Sequence, residues 1–312
     1  MRIVFCGTPS FAVPSLKHLL VLQGVEVLAV VTQPDRPRGR GQQVSFSPIK
    51  EAALAANIPV YQPEKIRAPQ AQEFLEKLAP DCVVIIAYGQ IIPARLLSLA
   101  KHGWINLHAS LLPKYRGAAP INWAIANGET KTGITTMRID AGMDTGEMLL
   151  QHEMEIAASE TAPELTARLA EAGAPLMAET LRRLAAGTIT PQPQNDAAAT
   201  TAPLLKKEDG RIDWTRCSQE IANRMRAFTP WPGAFTTFRT QSCHLWGEAV
   251  SNEKTDQPPG TMLWNGNELR VACGGATVLR VTAVKQEGRK QVSARAFANG
   301  AQLKIGELFS QR

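Results

Sequence analysis

Short apolar runs alternate with amphipathic helical patterns through the first half of the chain. The apolar runs that predict buried strands lie at residues 3–6, 25–31, 82–87 and 104–108. Helical patterns lie between them, at residues 11–22, 48–57 and 70–78. Buried strands alternating with helices are typical of a mostly parallel sheet covered on both faces. The pattern therefore predicts a Rossmann-like α/β domain at the start of the chain.

A hairpin and a long helix follow. Residues 133–139 and 147–156 predict two strands of a hairpin around an acidic, glycine-flanked turn at 140–146, and residues 161–186 have a helical pattern. We expect that helix to break near Pro175, because proline cannot donate a helical hydrogen bond. The stretch after it is rich in proline, alanine and threonine, which is typical of a linker.

The last third of the chain predicts a different kind of domain. One helical segment at 218–226 precedes short β-like runs at 234–239, 244–250, 268–272 and 276–284, separated by Gly, Pro and Asn turns. Such a pattern favours a small β-barrel. We place the domain boundaries at 1–189, a linker at 190–206 and a second domain at 207–312.

Charge distinguishes the two predicted domains. The chain carries a net charge of +6; residues 207–312 hold fifteen Lys and Arg against ten Asp and Glu, while residues 1–206 are nearly neutral. A basic module favours a polyanionic partner. The five cysteines are scattered without zinc-ligand spacing, so we expect free thiols in a reducing cytoplasm and no metal site. We also expect no membrane span, and neither a signal peptide nor a transit peptide, because the amino terminus has a strand pattern.

Candidate chemistry lies at the end of the fourth predicted strand. Asn106 and His108 alternate with apolar neighbours and so share one face of that strand. A lone histidine in a strand is most often a core residue, but here the chain turns away at the strand end where α/β sheets bind ligands. A carboxylate from the 140–146 turn, Asp144 or Asp140, could orient His108. Amide, imidazole and carboxylate together suit acyl transfer to an amine.

Two other loops bear on ligands. Gly7 stands alone at the first strand-to-helix turn, so the three spaced glycines of a dinucleotide site are missing and a nicotinamide cofactor is disfavoured. The loop after the second strand carries Arg36, Arg38 and Arg40 among glycines. Guanidinium groups bind phosphates and base edges, so this loop favours a nucleic-acid contact over a merely solvated surface.

Several motifs together resemble the formyltransferases that use 10-formyltetrahydrofolate, over essentially the whole chain. The motifs are Phe-Cys-Gly-Thr-Pro at 5–9, Thr-Gln-Pro-Asp-Arg-Pro at 32–37, Asn-Leu-His-Ala-Ser-Leu-Leu-Pro at 106–113, Tyr-Arg-Gly-Ala-Ala-Pro at 115–120, the 140–146 turn and Arg-Ile-Asp-Trp at 211–214. The arginine-bearing loop, the linker and the basic module resemble the branch of that family whose acceptor is methionyl initiator tRNA.

The resemblance implies roles for individual residues. It makes Asn106, His108 and Asp144 the catalytic group of the first domain. It implies folate binding by Ser110, Leu111, Leu112 and Pro113, and by Ile86, Tyr88, Gln90, Ile91 and Ile92. It implies contacts with the initiator tRNA by Arg36, Arg38, Arg40, Lys206 and Lys207. It also implies that the second domain is an OB-like barrel that holds the tRNA backbone. The expected protein is a cytoplasmic monomer of bacterial type, with 10-formyltetrahydrofolate as cosubstrate and no metal.

Two other classes of function remain open from the sequence. One is a non-catalytic RNA-binding protein built on an inert α/β domain. The other is a related enzyme that formylates a small amine, such as glycinamide ribonucleotide or an amino sugar nucleotide, or that hydrolyses formylfolate. The positive charge of residues 207–312 and the arginine loop favour tRNA over both.

Overall fold

A computed structural model of the chain describes residues 1–38, 43–304 and 306–310. It divides into two compact units. The first comprises Met1–Pro120, Lys131–Glu155 and Thr166–Ala202, and the second comprises Ile121–Thr130, Ile156–Leu165 and Pro203–Arg312. The second unit thus includes two short segments that precede residue 166.

A seven-stranded sheet forms the first unit. The strands up to residue 155 are β1 (Arg2–Gly7), β2 (Glu26–Val31), β3 (Arg36–Arg38), β4 (Gln43–Ser45), β5 (Val60–Tyr61), β6 (Cys82–Ile86), β7 (Trp104–His108), β8 (Lys131–Arg138) and β9 (Met148–Glu155). The sheet order is β5-β2-β1-β6-β7-β8-β9, and β3 and β4 form a separate two-stranded ribbon. The strands from β5 to β7 run parallel, whereas β8 and β9 are antiparallel. The predicted mostly parallel sheet is confirmed.

The burial of the strands explains their sequence. Every residue of β6 is buried, as are all residues of β1 except Arg2. Central strands covered on both faces need such continuous apolar runs. The strand order reverses between β1 and β6, so their carboxyl ends flank a crevice of the kind in which open α/β sheets bind ligands.

Helices connect the strands. They are α1 (Val13–Leu20), α2 (Pro48–Ala55), α3 (Pro69–Leu78), α4 (Ala94–Leu97), α5 (Pro120–Ala126) and α6 (Ala162–Ala186). The prediction that α6 breaks near Pro175 is wrong, because this 25-residue helix is continuous through the proline. Leu169, Met177 and Leu181 are buried on either side of it. The apolar burial of this face offsets the single backbone hydrogen bond that Pro175 cannot make.

The second unit contains an antiparallel sheet. Its remaining elements are α7 (Ser218–Ala227), β10 (Phe235–Phe238), β11 (Gln241–Val250), β12 (Met262–Trp264), β13 (Leu269–Cys273), β14 (Thr277–Gln286), β15 (Val292–Ser293) and α8 (Ala294–Ala301). The order is β10-β11-β14-β13-β12, with β15 paired to β14. The core includes Trp214, Phe238, Phe297 and Phe309. An antiparallel second domain is compatible with the prediction, and its OB-like closure stays a prediction. Across the described ranges, no helix has the length and apolarity needed to cross a membrane.

Candidate active site

The carboxyl end of β7 presents an amide and an imidazole. The His108 ring is buried, and its Nε2 lies 2.9 Å from the main-chain oxygen of Tyr115. A carbonyl can only accept, so this contact assigns a proton to Nε2. Asn106 is half-buried, and its side-chain amide has no hydrogen bond with any described residue. The amide is therefore available as a donor to a ligand.

Asp144 is the acid that faces His108. Its Oδ2 lies 3.6 Å from His108 Nδ1 and accepts a 2.9 Å hydrogen bond from the backbone N–H of Gly117. Asp140 instead accepts hydrogen bonds within its own loop, from Gly142 N–H at 3.0 Å and Thr145 Oγ1 at 2.7 Å. The geometry thus distinguishes the two acids that the sequence left open. A second proton on the His108 ring, at Nδ1, would point at the Asp144 carboxylate.

The Ser110–Pro113 turn is held by buried polar groups. Ser110 is fully buried, and its hydroxyl donates to the carbonyl of Lys114 at 2.6 Å. Thr135 on β8 donates to the Ser110 carbonyl at 2.7 Å and accepts from the Leu112 N–H at 3.2 Å. Leu112 is itself buried, whereas Leu111 is half-buried. Hydrogen bonds therefore hold this turn in place beside β7, and the Ser110 hydroxyl points into the protein interior.

The segment after β6 carries the other residues that the sequence assigns to folate. Ile86, Tyr88 and Ile92 are buried, Gln90 is half-buried and Ile91 is 91% exposed. Burial raises the pKa of the Tyr88 phenol far above its usual range, and its hydroxyl has no hydrogen-bond partner among the residues that the structure describes. The Tyr88 carbonyl accepts from Thr8 Oγ1 at 3.2 Å, so this segment meets the end of β1 at the crevice. The exposed Ile91 offers an apolar surface that an aromatic ring system could cover.

A polar network holds the base of the arginine loop. Gln33 donates to the Tyr88 carbonyl at 3.1 Å and accepts from Gln90 at 3.2 Å. Asp35 accepts from Lys50 and from Gln62, and these two hydrogen bonds, that of Lys50 first, lower the pKa of the Asp35 carboxyl. The network fixes the point at which the loop leaves the sheet.

The predicted tRNA-binding residues are separated along the chain. Arg36 is exposed, and its guanidinium lies 3.5 Å from the Glu64 carboxylate. Arg38 ends β3, and Arg40 lies outside the described residues. Lys206 and Lys207 are exposed at the start of the second unit. Burial first, and then the positive charges of Lys285 and Lys207, lower the pKa of His244.

Residues 192–202, which we call the strap, contact both loops around His108. Gln192 and Met148 exchange backbone hydrogen bonds of 2.8 and 2.9 Å. Gln194 Nε2 donates to the carbonyls of Asp144 and Gly146, each at 2.8 Å. These contacts tie the Asp144 loop to the strap.

The other end of the strap holds the Tyr115 turn. Thr200 accepts from the Tyr115 N–H at its hydroxyl, at 2.9 Å, and from the Arg116 N–H at its carbonyl, at 2.8 Å. The Ala202 N–H donates to the Arg116 carbonyl at 2.7 Å. Both partners of His108, the Tyr115 carbonyl and Asp144, are therefore supported by one segment.

Sequence reasoning missed the residues that orient His108. The missed contacts are the Tyr115 carbonyl, the Gly117 N–H and the side chains of Gln194 and Thr200. Gly117 did carry a signal, since a glycine in a connecting turn often marks a special backbone conformation. Gln194 and Thr200 carried none, because they lie in a polar stretch and contact residues far away in sequence. Among the described residues, no group of His, Cys, Asp or Glu is arranged to hold a metal ion.

An α/β sheet with an amide, a carboxylate-paired imidazole and a ligand crevice at its carboxyl edge defines a group-transfer enzyme of the acyl-transfer type. The chain belongs to the formyl transferase family. Residues 1–181 match the formyl transferase domain, and residues 204–302 match the formyl transferase C-terminal domain.

Relatives and solved structures agree with this family. A protein named methionyl-tRNA formyltransferase from Solibacter usitatus is 55% identical over 311 residues, 98% of this chain and 99% of that protein. One of the same name from Geobacter metallireducens is 48% identical over 98% of this chain and 97% of its own length. The sugar 3N-formyl transferase WlaRD superposes with a TM-score of 0.66 at 18% identity, covering 93% of this chain and 99% of its own. At that identity the similarity concerns the fold alone.

Proposed function

We propose that this protein transfers the formyl group of 10-formyltetrahydrofolate to the α-amine of methionyl initiator tRNA. The observation that carries the proposal is His108, held between the Tyr115 carbonyl and Asp144 beside the unbonded amide of Asn106. The name shared by relatives 44–55% identical over nearly the whole chain supports the acceptor. The folate supplies the formyl carbon, to which the amine adds and from which the folate amine departs, gaining the proton that the attacking amine loses.

Asn106 stabilises the negative charge that develops on the formyl oxygen. Its amide makes no hydrogen bond to any described residue, so donating to the oxyanion breaks no existing contact. Donors placed in advance cost little reorganisation when the charge appears. Removing one such donor typically lowers the rate by about 10²–10³-fold.

His108 supplies a positive charge near the oxyanion, and Asp144 accepts the proton of the attacking amine. The imidazolium form of His108 places a positive charge beside the oxyanion, with one N–H on the Tyr115 carbonyl and the other directed at Asp144. Asp144 Oδ2 already accepts from the Gly117 N–H. Its Oδ1 has no hydrogen bond with a described residue, so this atom takes the proton of the amine, directly or through a water. An α-amine has a pKa of about 7.7, so much of it is neutral and nucleophilic without a strong base.

The folate lies in the crevice between β1 and β6 and extends toward β7. The exposed Ile91 and the fixed 110–113 turn support this placement. We assign folate contacts to residues of the two flanking segments: Ile86, Tyr88, Gln90, Ile91, Ile92, Ser110, Leu111, Leu112 and Pro113. Ser110 and Tyr88 have buried side chains, so these two contribute through their main chain or by packing.

The tRNA is bound by the basic parts of the chain. Arg36, Arg38 and Arg40 probe the acceptor end, while Lys206 and Lys207 contact phosphates. We assign the catalytic domain to 1–189 and the tRNA-binding domain to 207–312; residues 190–206, which include the strap, link the two in sequence. The protein acts as a monomer in the cytoplasm, where charged initiator tRNA is used.

The decisive experiment follows labelled formyl from 10-formyltetrahydrofolate to methionyl initiator tRNA. Asn106→Ala, His108→Ala and Asp144→Asn should each lower kcat by at least about 10²-fold while tRNA binding persists. Asp140→Asn is the matched control, because it keeps an acceptor oxygen in the same loop and does not face His108. A wild-type protein that transfers no formyl to the tRNA, or an Asp140→Asn variant as slow as Asp144→Asn, would contradict the proposal.

Selection of the initiator is tested separately. Arg40→Ala should reduce the ratio of initiator to elongator formylation. In this proposal the arginine loop discriminates between tRNAs by how readily the terminal base pair of the acceptor stem opens. Lys77→Ala removes one exposed positive charge of the same unit and should leave that ratio unchanged. An equal ratio for wild type and Arg40→Ala would refute this role.

A further inference from the structure

The side-chain amide of Gln194 has all of its hydrogen-bonding groups occupied. Its nitrogen donates to the carbonyls of Asp144 and Gly146, both at 2.8 Å, and its oxygen accepts from Arg116 Nε at 3.0 Å. Because two donors and an acceptor are used at once, the orientation of the amide is fixed. A glutamate here would keep the contact with Arg116 but would place an oxygen against two carbonyl oxygens.

One of these hydrogen bonds supports an unusual backbone conformation. Asp144 has φ +53°, in the left-handed region that residues other than glycine seldom occupy. Such conformations persist where the surroundings hold them, and they are frequent at active sites. Gln194 donates to the carbonyl of this same residue, so it helps to hold the turn that points the carboxylate at His108.

The hydrogen bond from Arg116 to the Gln194 oxygen connects the amide to the loop at residues 115–117. Arg116 lies between Tyr115, whose carbonyl accepts from His108, and Gly117, whose N–H donates to Asp144. The Arg116 guanidinium also lies 2.7 Å from Asp196 of the strap, and only 12% of its side chain is exposed. Gln194 therefore joins the loop that carries the acid to the loop that holds the imidazole.

The backbone of the strap is fixed on both sides of Gln194. On one side Gln192 pairs with Met148, and on the other Thr200 and Ala202 pair with Arg116. The side chain thus extends from a defined position. A mobile linker would not place an amide within 2.8 Å of two carbonyls at once.

We propose that Gln194 is a positioning residue for formyl transfer, which keeps the Asp144 carboxylate directed at His108. The inference rests on the proposed function, because it assigns a role within that reaction. Gln194 does not contact the reacting atoms in this scheme, and its effect passes through Asp144. Small displacements of a reacting group can lower a rate by about 10²-fold, so removal of the amide should act on turnover.

The test compares Gln194→Ala and the isosteric Gln194→Glu with Gln192→Ala. Gln192 is a glutamine of the same strap whose exposed side chain has no hydrogen bond with a described residue. With both substrates saturating, the two Gln194 variants should lower kcat by about 10–100-fold and Gln192→Ala by less than about 2-fold. Equilibrium binding of 5-formyltetrahydrofolate and of the tRNA should stay within about 3-fold of wild type.

A double variant separates positioning from general support of the fold. In an Asp144→Asn background, Gln194→Ala should cost less than about 3-fold further, whereas a merely structural role would cost the same factor as in wild type. Unchanged kcat in both Gln194 variants, or a loss matched by weaker folate binding and a lower unfolding temperature, would overturn the inference. If Gln194→Ala does not fold, Gln194→Glu decides. Wild-type inactivity on the tRNA would instead contradict the proposed function.

Discussion

Gly117 is a position where a single added methyl group should disturb the site. Its φ is +121°, and a Cβ built on it would lie 2.7 Å from the carbonyl oxygen of Ala202. That oxygen belongs to the strap backbone, so it cannot move aside as a flexible side chain could. The Gly117 N–H also donates to Asp144 Oδ2 at 2.9 Å. Gly117→Ala therefore forces either the strap or this hydrogen bond to shift.

The expected magnitude has two parts. Holding an alanine at a φ of +121°, outside the left-handed helical region, costs about 1–3 kcal/mol, and the overlap with a backbone atom costs about 1–3 kcal/mol more. The sum is about 2–6 kcal/mol of unfolding free energy. Each kcal/mol corresponds to about 2–4 °C in the unfolding temperature of a domain of 150–250 residues. Displacement of the Asp144 contact should also lower kcat by about 10–100-fold.

Gly187→Ala is the matched control. Gly187 has φ +66°, but a Cβ there would have nothing within 4 Å. The control should lose only the conformational part, about 1–2 kcal/mol, with kcat unchanged. Thermal unfolding monitored by circular dichroism and the formyl-transfer assay at saturating substrate measure the two effects. If Gly117→Ala matched Gly187→Ala in both measurements, the strap would not constrain this turn and the reasoning would fail.

Two further predictions concern ionisable groups. Burial, with a smaller contribution from Asp81, raises the pKa of Cys82 to about 12. Iodoacetamide at pH 8 should therefore alkylate the half-buried Cys217 at least about 100-fold faster than it alkylates Cys82. Mass spectrometry follows the two rates, and equal rates would contradict the prediction. The hydrogen bond from Lys50 lowers the pKa of the Asp35 carboxyl in the folded state. The ionised carboxylate therefore stabilises the fold at pH values above the unfolded-state pKa of about 3.9. That stabilisation is lost as the pH falls through the folded-state pKa. Asp35→Asn should thus lower the unfolding temperature at pH 6, by a difference that shrinks below about pH 4; a constant difference would refute the linkage.

Apolar patterning predicts much of the α/β framework because burial imposes it locally. The apolar pattern at 104–108 predicts β7 with the bounds that the structure has. The short strands β12 and β15 were not predicted, since three and two residues show no periodicity. The predicted break of α6 at Pro175 is wrong because the missing backbone hydrogen bond of the proline is outweighed by burial of the apolar residues on either side of it.

The arrangement around His108 could be predicted only in part. The sequence places Asn106 and His108 on one face, but it cannot choose between Asp140 and Asp144, which differ in backbone conformation and not in local pattern. Residues 190–206 have the composition of a linker, yet their hydrogen bonds join residues about 50–85 positions apart. Contacts of that range between polar groups leave no periodic trace in a sequence.

The contacts that orient His108 share a property with consequences for pH dependence. The Tyr115 carbonyl and the Gly117 N–H do not titrate, and neither does the amide of Gln194. The frame of the site is thus the same across the range in which proteins usually work. The frame should therefore add no pH dependence of its own to the rate. Under the proposed mechanism, the substrate amine, whose pKa is about 7.7, then accounts for a loss of rate as the pH falls below that value.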